Sequence, residues 1–289
     1  MNTVGIITKR SVAEHSKVIK QLVAFLKKHK KEVFFDENSC SIFKGQKGYG
    51  KEELLTKVEF AIVLGGDGTI LKTARRTPRK KVLILGVNFG TLGFLTESTP
   101  TKMYECLEKI FKGQYVVDKR SLLRTTVYRN GKKISTSLAL NDAVINQGAF
   151  ARLIRMDIEI NNRIVTSVKA DGLIIATPSG STAHSLSAGG PIVHPKIEGI
   201  VVTPICASSL AMRSIVLPDS RQLTITMETD RKDDQESFIG LTLDGQDMMV
   251  LKYGDKIKIR RSKRSFNLVR TGNRYYKMLR NKLGWGGEV

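Results

Sequence analysis

The sequence predicts two unlike folding units in one chain, an α/β doubly wound N-terminal domain followed by an all-β-rich C-terminal domain. Three observations lead there. Strand and helix signals alternate through the first 120 residues, the rhythm of a sheet layered with helices. Runs such as residues 60–64 and 81–87 are almost continuously apolar, as in parallel strands buried on both faces. After about residue 120, short Thr-, Val- and Ile-rich runs separated by turn residues replace that rhythm, which points to antiparallel structure.

Taken in order, Val4-Gly5-Ile6-Ile7 opens as a strand, and residues 14–29 space Val18, Leu22, Phe25 and Leu26 as one helical face. Residues 32–35 form a second strand, followed by a Gly/Lys loop over 44–51. The run at 60–64 ends in Gly65-Gly66-Asp67-Gly68-Thr69, with a helix expected over 70–76, a strand over 81–87 and a helix over 103–111. Beyond residue 120, Asn130-Gly131 is a hairpin turn between strands at 123–128 and 134–140. Further strands are expected at 156–160, 163–167, 172–176, 199–203, 222–227 and 256–260, and a closing helix at 273–283. The domains expected are therefore 1–120, carrying the glycine turn, and 121–262, with 263–289 packing back on the first.

Composition narrows the function classes. The 289 residues carry 48 Lys plus Arg against 27 Asp plus Glu, a net charge of +21. The excess is densest over residues 256–282, with eleven basic residues and no acidic one. Such charge suits an anionic partner, yet no aromatic platform accompanies it, so nucleic acid is not an expected partner. No apolar run approaches the roughly 20 residues needed to span a bilayer, and the N-terminal residues read as a strand rather than a signal peptide. Cys40, Cys106 and Cys206 are far apart with no CxxC. Neither a disulfide framework nor a metal site made by the protein is expected, and a reducing cytoplasm is the default.

The glycine turn carries the chemistry. Glycines on both sides of a carboxylate let the backbone approach a ligand closely, and the amides of Gly65, Gly66, Gly68 and Thr69 form a cradle for phosphate. A carboxylate inside an anion cradle, Asp67, makes sense if it handles a metal or a hydroxyl proton, which points to phosphoryl transfer. Four other clusters accompany it: residues 88–95 (NFGTLGFL), Asn141-Asp142 at the end of a strand, Lys169 and Asp171 on one face of a strand, and residues 177–191 (TPSGSTAHSLSAGGP), a hydroxyl-lined helix start.

This set, with Asp244-Gly245-Gln246, resembles the NAD kinase family in order and spacing from about residue 4 to residue 260. The GGDGT element alone is shared with diacylglycerol, sphingosine and 6-phosphofructokinases; residues 177–193 are what looks like NAD kinase. The resemblance implies an NAD kinase/diacylglycerol kinase-like fold that phosphorylates the 2′-hydroxyl of the adenosine ribose of NAD. It implies Asp67 as proton acceptor, with Gly68 and Lys72 beside it in the nucleotide contact. Asn141 and Asp142 match the pair that holds a ribose, and Arg152, Lys169 and Asp171 match further dinucleotide contacts, some crossing between subunits. Thr182, Ala183, His184, Ser185, Leu186 and Ser187 match the segment that clasps the dinucleotide, and Gln246 a late contact. ATP or polyphosphate is the implied donor, with a divalent cation, magnesium, and a homodimer or homotetramer as the assembly. His184 stands where the family usually has Tyr, and Ala207-Ser208 where a Pro-His pair is usual. Two alternatives stand beside this reading: another GGDGT-type kinase acting on a lipid or sugar, and a nucleotide- or nucleic-acid-binding protein without turnover.

Overall fold

The computed structural model describes residues 1–9, 13–147, 153–228, 239–272 and 274–286. The chain divides into two compact units, one made of Met1–Lys119 with Phe266–Val289, the other of Arg120–Ser265.

In the first unit, five parallel strands lie in the order Leu83–Val87, Phe60–Leu64, Thr3–Thr8, Glu32–Asp36, Gly48–Tyr49. Asn267 and Leu268 pair in parallel with Leu83 and Ile84 outside them. The central strands are apolar throughout because both faces are covered. On one face Val4, Ile6, Ile62 and Leu85 cluster with Ile19, Leu22 and Leu26 of the helix Ser16–Lys28, and with Leu107 and Ile110 of the helix Met103–Phe111. On the other face Gly5 lets Leu54 and Val58 close onto the sheet. Each Leu or Ile buried this way contributes roughly 1.5–3 kcal/mol.

Strand order reverses between Thr3–Thr8 and Phe60–Leu64, and ligands in open α/β sheets sit at the carboxyl ends of the strands beside such a switch point. Gly65 leaves the sheet there. The helix that follows starts earlier than its sequence suggests: it spans Asp67–Ala74, with Gly66 as its N-cap residue. Asp67 therefore stands in the first helical turn rather than in a free loop, where a carboxylate suits the positive end of the helix dipole. The loop expected at 44–51 also holds more structure, since it includes the two-residue strand Gly48–Tyr49 and the start of the helix Lys51–Lys57.

The second unit is a sandwich of two antiparallel sheets. The six-stranded sheet runs Ile215–Pro218, Gly199–Ile205, Gly172–Ala176, Asp142–Gln147, Ile239–Leu243, Asp247–Leu251. Opposite it, Arg163–Ala170, Ile154–Ile160, Leu223–Glu228 and residues 256–259 lie side by side. Ala143, Ile145, Leu173 and Ile175 of one sheet share a core with Met156, Ile158, Ile225 and Ile257 of the other. The alternate residues Val144, Ile174 and Val201 face outward and pack with Val193. Residues 177–193 are thus laid over the outer face of the six-stranded sheet. The hairpin turn at Asn130-Gly131 has both residues left-handed (φ 49° and 74°).

Four strands of this unit are absent from the sequence reading: Asp142–Gln147, Ile215–Pro218, Ile239–Leu243 and Asp247–Leu251. The strand expected at 256–260 runs for 15 residues, Lys256–Arg270, because its polar middle conceals continuity between two apolar ends.

Arg129 closes the hairpin onto Asp255, a fully buried carboxylate, through Nε to Oδ1 (2.9 Å) and a terminal nitrogen to Oδ2 (2.7 Å). Arg129→Met leaves the buried Asp255 carboxylate with the Lys252 amide (2.9 Å) but without its paired cation. Chemical denaturation is expected to show a loss of about 3 kcal/mol, the lower end for a buried pair because Arg129 is partly exposed. An unchanged midpoint would mean the pair contributes nothing net.

Candidate active site

Asp67 is held by main-chain amides from a distant loop. Its carboxylate accepts hydrogen bonds from the backbone N–H of Phe94 (2.9 Å) and of Leu95 (3.3 and 3.4 Å to its two oxygens). That approach requires glycine at 93, because a Cβ there would run into the Asp67 carboxylate. Gly65, at φ +156°, likewise has no room for a Cβ against the Thr69 side chain. Burial pushes the Asp67 carboxyl above its usual range, against the opposing pull of the amides and of Arg270.

The loop is fixed in turn by Arg270, near the end of the long strand. Its guanidinium donates to the carbonyl oxygens of Phe94 (2.8 Å) and Thr96 (3.2 Å), and its Nε to Asp118 (3.0 Å). The buried Glu97 carboxylate accepts from the Thr271 amide and hydroxyl, both at 2.8 Å. At the loop's other end, Asn88 bridges the Gly90 amide (3.1 Å) and the Thr91 carbonyl (2.5 Å). Gly68 and Lys72 are exposed on the helix that Asp67 begins, and Gly66 and Thr69 are half-buried.

In the second unit the corresponding organiser is Asp244. It occupies a left-handed turn (φ 51°) before Gly245, and its buried carboxylate accepts from the amides of Leu140 (3.1 Å), Asn141 (2.7 Å) and Asp142 (3.3 Å). This fixes the bend that presents Asn141 and Asp142. Asp142 opens the strand Asp142–Gln147 and does not end the preceding one, because those three amides pin the reversal before it. Thr177 ties the same bend to the hydroxyl-rich segment: its N–H donates to the Asn141 carbonyl (2.8 Å) and its hydroxyl to the Leu140 carbonyl (2.5 Å). Gly180 lies so close to Asn141 that a Cβ would strike its backbone. Ser181 crosslinks the segment through Pro178 O (2.7 Å) and Val193 N (2.9 Å).

The other expected contacts fall as follows. Thr182 ends the short turn Gly180–Thr182, and His184 and Ser187 are exposed on the turn His184–Ser187. Ala183 and Leu186 are half-buried, whereas Ser185 is buried with its hydroxyl on Thr203 (2.9 Å). Lys169 and Asp171 do not share one strand, since Lys169 belongs to Arg163–Ala170 and Asp171 is the link before Gly172–Ala176. Chain crossing between the two sheets breaks the alternation there. Asp171 accepts from Gln147 Nε2 (2.9 Å). Gln246 follows the Asp244-Gly245 turn, and Arg152 lies outside the described residues. Sequence reasoning did not assign roles to Arg270, Glu97 or Asp244; the isolated basic or acidic residue gives no signal until the backbone it grips is known.

A carboxylate clamped at a strand–helix switch point, on a two-unit α/β and β-sandwich chain, defines the class of GGDGT-type phosphotransferases. The family model described as ATP-NAD kinase N-terminal domain matches residues 4–115, and that of the ATP-NAD kinase C-terminal domain residues 140–271. The NAD kinase of Geobacter sulfurreducens is 41% identical over 287 residues, 99% of each chain. That of Geotalea daltonii is 45% identical over 237 residues, 82% of each. Among solved structures, an Archaeoglobus fulgidus NAD kinase in complex with ATP superimposes with a TM-score of 0.72 at 25% identity, covering 98% of this chain and 97% of that one. Yeast NADH kinase complexed with NADH shares the fold with a TM-score of 0.90 at 24% identity, over 100% of this chain and 89% of that one. The chain belongs to the NAD kinase family, and is an NAD kinase enzyme.

Burial, and next the neighbouring Asp244, pushes the Asp142 carboxyl up to about 7 from the ordinary 3.8. A raised acid favours the neutral form in the fold. Its stabilising contribution is therefore complete below 3.8 and is lost as pH rises through about 7. Asp142→Asn should remove that slope, so the variant gains on the parent by about 2 kcal/mol between pH 5 and 8 in denaturant titrations. Parallel pH profiles for the two proteins would contradict the assignment.

Proposed function

We propose that the chain transfers the terminal phosphoryl group of ATP to the 2′-hydroxyl of the adenosine ribose of NAD, giving NADP, with Asp67 as proton acceptor. The observation that carries this reading is the Asp67 carboxylate, raised by burial yet fixed by the Phe94 and Leu95 amides at the switch point of the sheet. Phosphoryl transfer passes through a loose transition state, so orienting the hydroxyl counts for more than abstracting its proton early. With two amides fixing it, the carboxylate can accept the hydroxyl hydrogen bond in one orientation and take the proton once the new bond to phosphorus has formed. The raised value makes Asp67 a better late acceptor than an ordinary Asp.

Gly66 and Gly68 lie at the start of the helix where phosphate would approach, with Lys72 as the nearby cation. The Gly65 N–H instead donates to the Val87 carbonyl (2.8 Å) and the Thr69 N–H to the Gly66 carbonyl (2.9 Å), which narrows the expected four-amide cradle. Asn141 and Asp142 hold a ribose, Thr182 to Ser187 clasp the dinucleotide, and Lys169, Asp171, Arg152 and Gln246 complete the contacts. Among the described residues no group of three or more His, Cys, Asp or Glu could hold a metal. Magnesium, usually held through one or two carboxylates and the substrate phosphates, would neutralise phosphate charge on the donor. Inorganic polyphosphate is the alternative donor. A homodimer or homotetramer fits the strand Arg163–Ala170, which lies at a sheet edge and carries Ile164 and Val165 at 71% and 60% exposure. A cytoplasmic setting fits the three free cysteines.

Asp67→Asn is expected to lower turnover by 10²–10⁴-fold, roughly the range of a lost general base, while NAD affinity by calorimetry stays within a few-fold. Full turnover in that variant would remove Asp67 from the role. Incubation with ATP and magnesium should convert NAD and leave diacylglycerol untouched.

A further inference from the structure

A second feature of the first unit lies on the loop that holds Asp67, and the reaction proposed above assigns it no role. A cavity of about 540 Å³ opens between the loop residues Gly90, Thr91 and Leu92 and the C-terminal helix Tyr275–Leu283. Its described lining includes four cations, Lys102, Arg274, Lys277 and Lys282, and no carboxylate. Holding like charges around one concavity costs free energy unless an anion shares it. The volume falls within the range of small-molecule sites, roughly 300–1,000 Å³.

Among the described residues none of these four cations forms an ion pair with a carboxylate. Arg274 donates to the Glu97 carbonyl (3.0 Å), and Lys282 Nζ to the Thr91 hydroxyl (3.0 Å). Glu105 feels the charges of Lys102 and Arg274, but its carboxylate is engaged by Lys109 at 2.7 Å. Ser98 and Thr99 add hydroxyls to the wall. The helix is anchored by buried Leu279 and terminated by left-handed Gly284 (φ 62°), so Lys277 and Lys282 are presented from an ordered element.

The geometry points to a second ligand site in this cavity, one that takes a compact phosphate-bearing anion. Several cations converging on one small volume suit a multiply charged phosphate better than a single carboxylate. The site borders the segment whose later residues, Phe94 and Leu95, donate to Asp67, so occupancy adds a further restraint at residues 90–92, upstream of the part that Arg270 holds. Lys282 bonded to Thr91 is the direct link between the helix and that loop.

Inorganic pyrophosphate is the probe, and substitution at Lys102 and Lys277, which line only the second cavity, separates binding there from binding at the Gly65–Thr69 turn. Calorimetry on the full chain should show saturable binding that weakens at least about tenfold, some 1.4 kcal/mol, in the Lys102→Gln/Lys277→Gln double variant. Lys102→Arg/Lys277→Arg should retain it, which separates charge from fold. In the parent protein, pyrophosphate should also slow hydrogen exchange over residues 90–95 and the helix. Absence of saturable binding, or equal affinity in the glutamine variant, would overturn the site. Loss of NADP formation would bear on the proposed function and leave this result standing.

Discussion

The carboxylate of Asp67 faces a problem that much of the first unit is arranged to solve. In the role proposed for it, this acid cannot be left free to swing, nor paired directly with a cation that would keep it fully ionised. The protein holds it with two neutral N–H groups from Phe94 and Leu95. Those donors are useful only if their loop is rigid, and the loop has no regular hydrogen-bond ladder along this stretch. Arg270 supplies the rigidity by gripping the loop's carbonyl side while the amide side faces Asp67. A peptide plane held from both edges has little freedom left.

The second unit repeats the logic with different parts. Asp244 takes three successive amides and so shapes the bend at Leu140 to Asp142. Its neighbour Asp142 is buried and also faces the Asp244 carboxyl group, and its titration moves up to about 7. One acid is spent on architecture, and the other is held close to a change of charge at neutral pH. Thr177, Gly180 and Ser181 fasten the hydroxyl-rich segment to that bend, so two stretches nearly 40 residues apart behave as one surface.

Much of this fold was legible in the residues because the physics is local. The alternation of Val18, Leu22, Phe25 and Leu26, the unbroken apolar run at 60–64 and the Asn130-Gly131 turn each name their element through backbone sterics and one-sided burial. Where the expectation failed, polarity had hidden the pattern. Lys256–Arg270 is a single strand with a charged middle, and Lys169 and Asp171 look like alternate residues until the chain is seen to change sheets between them.

The sequence by itself pointed to phosphoryl transfer, because a carboxylate flanked by glycines leaves few uses for that acid, while the crowding that requires glycine at 65 and 93 is set by the fold. Tertiary structure alone decided what holds the acid and how it titrates. Arg270 lies 203 residues from Asp67 in the chain, and Asp244 about a hundred from the bend it shapes. Desolvation and hydrogen bonding depend on which atoms surround a group, and a linear order of residues does not contain those neighbours until the sheets have formed.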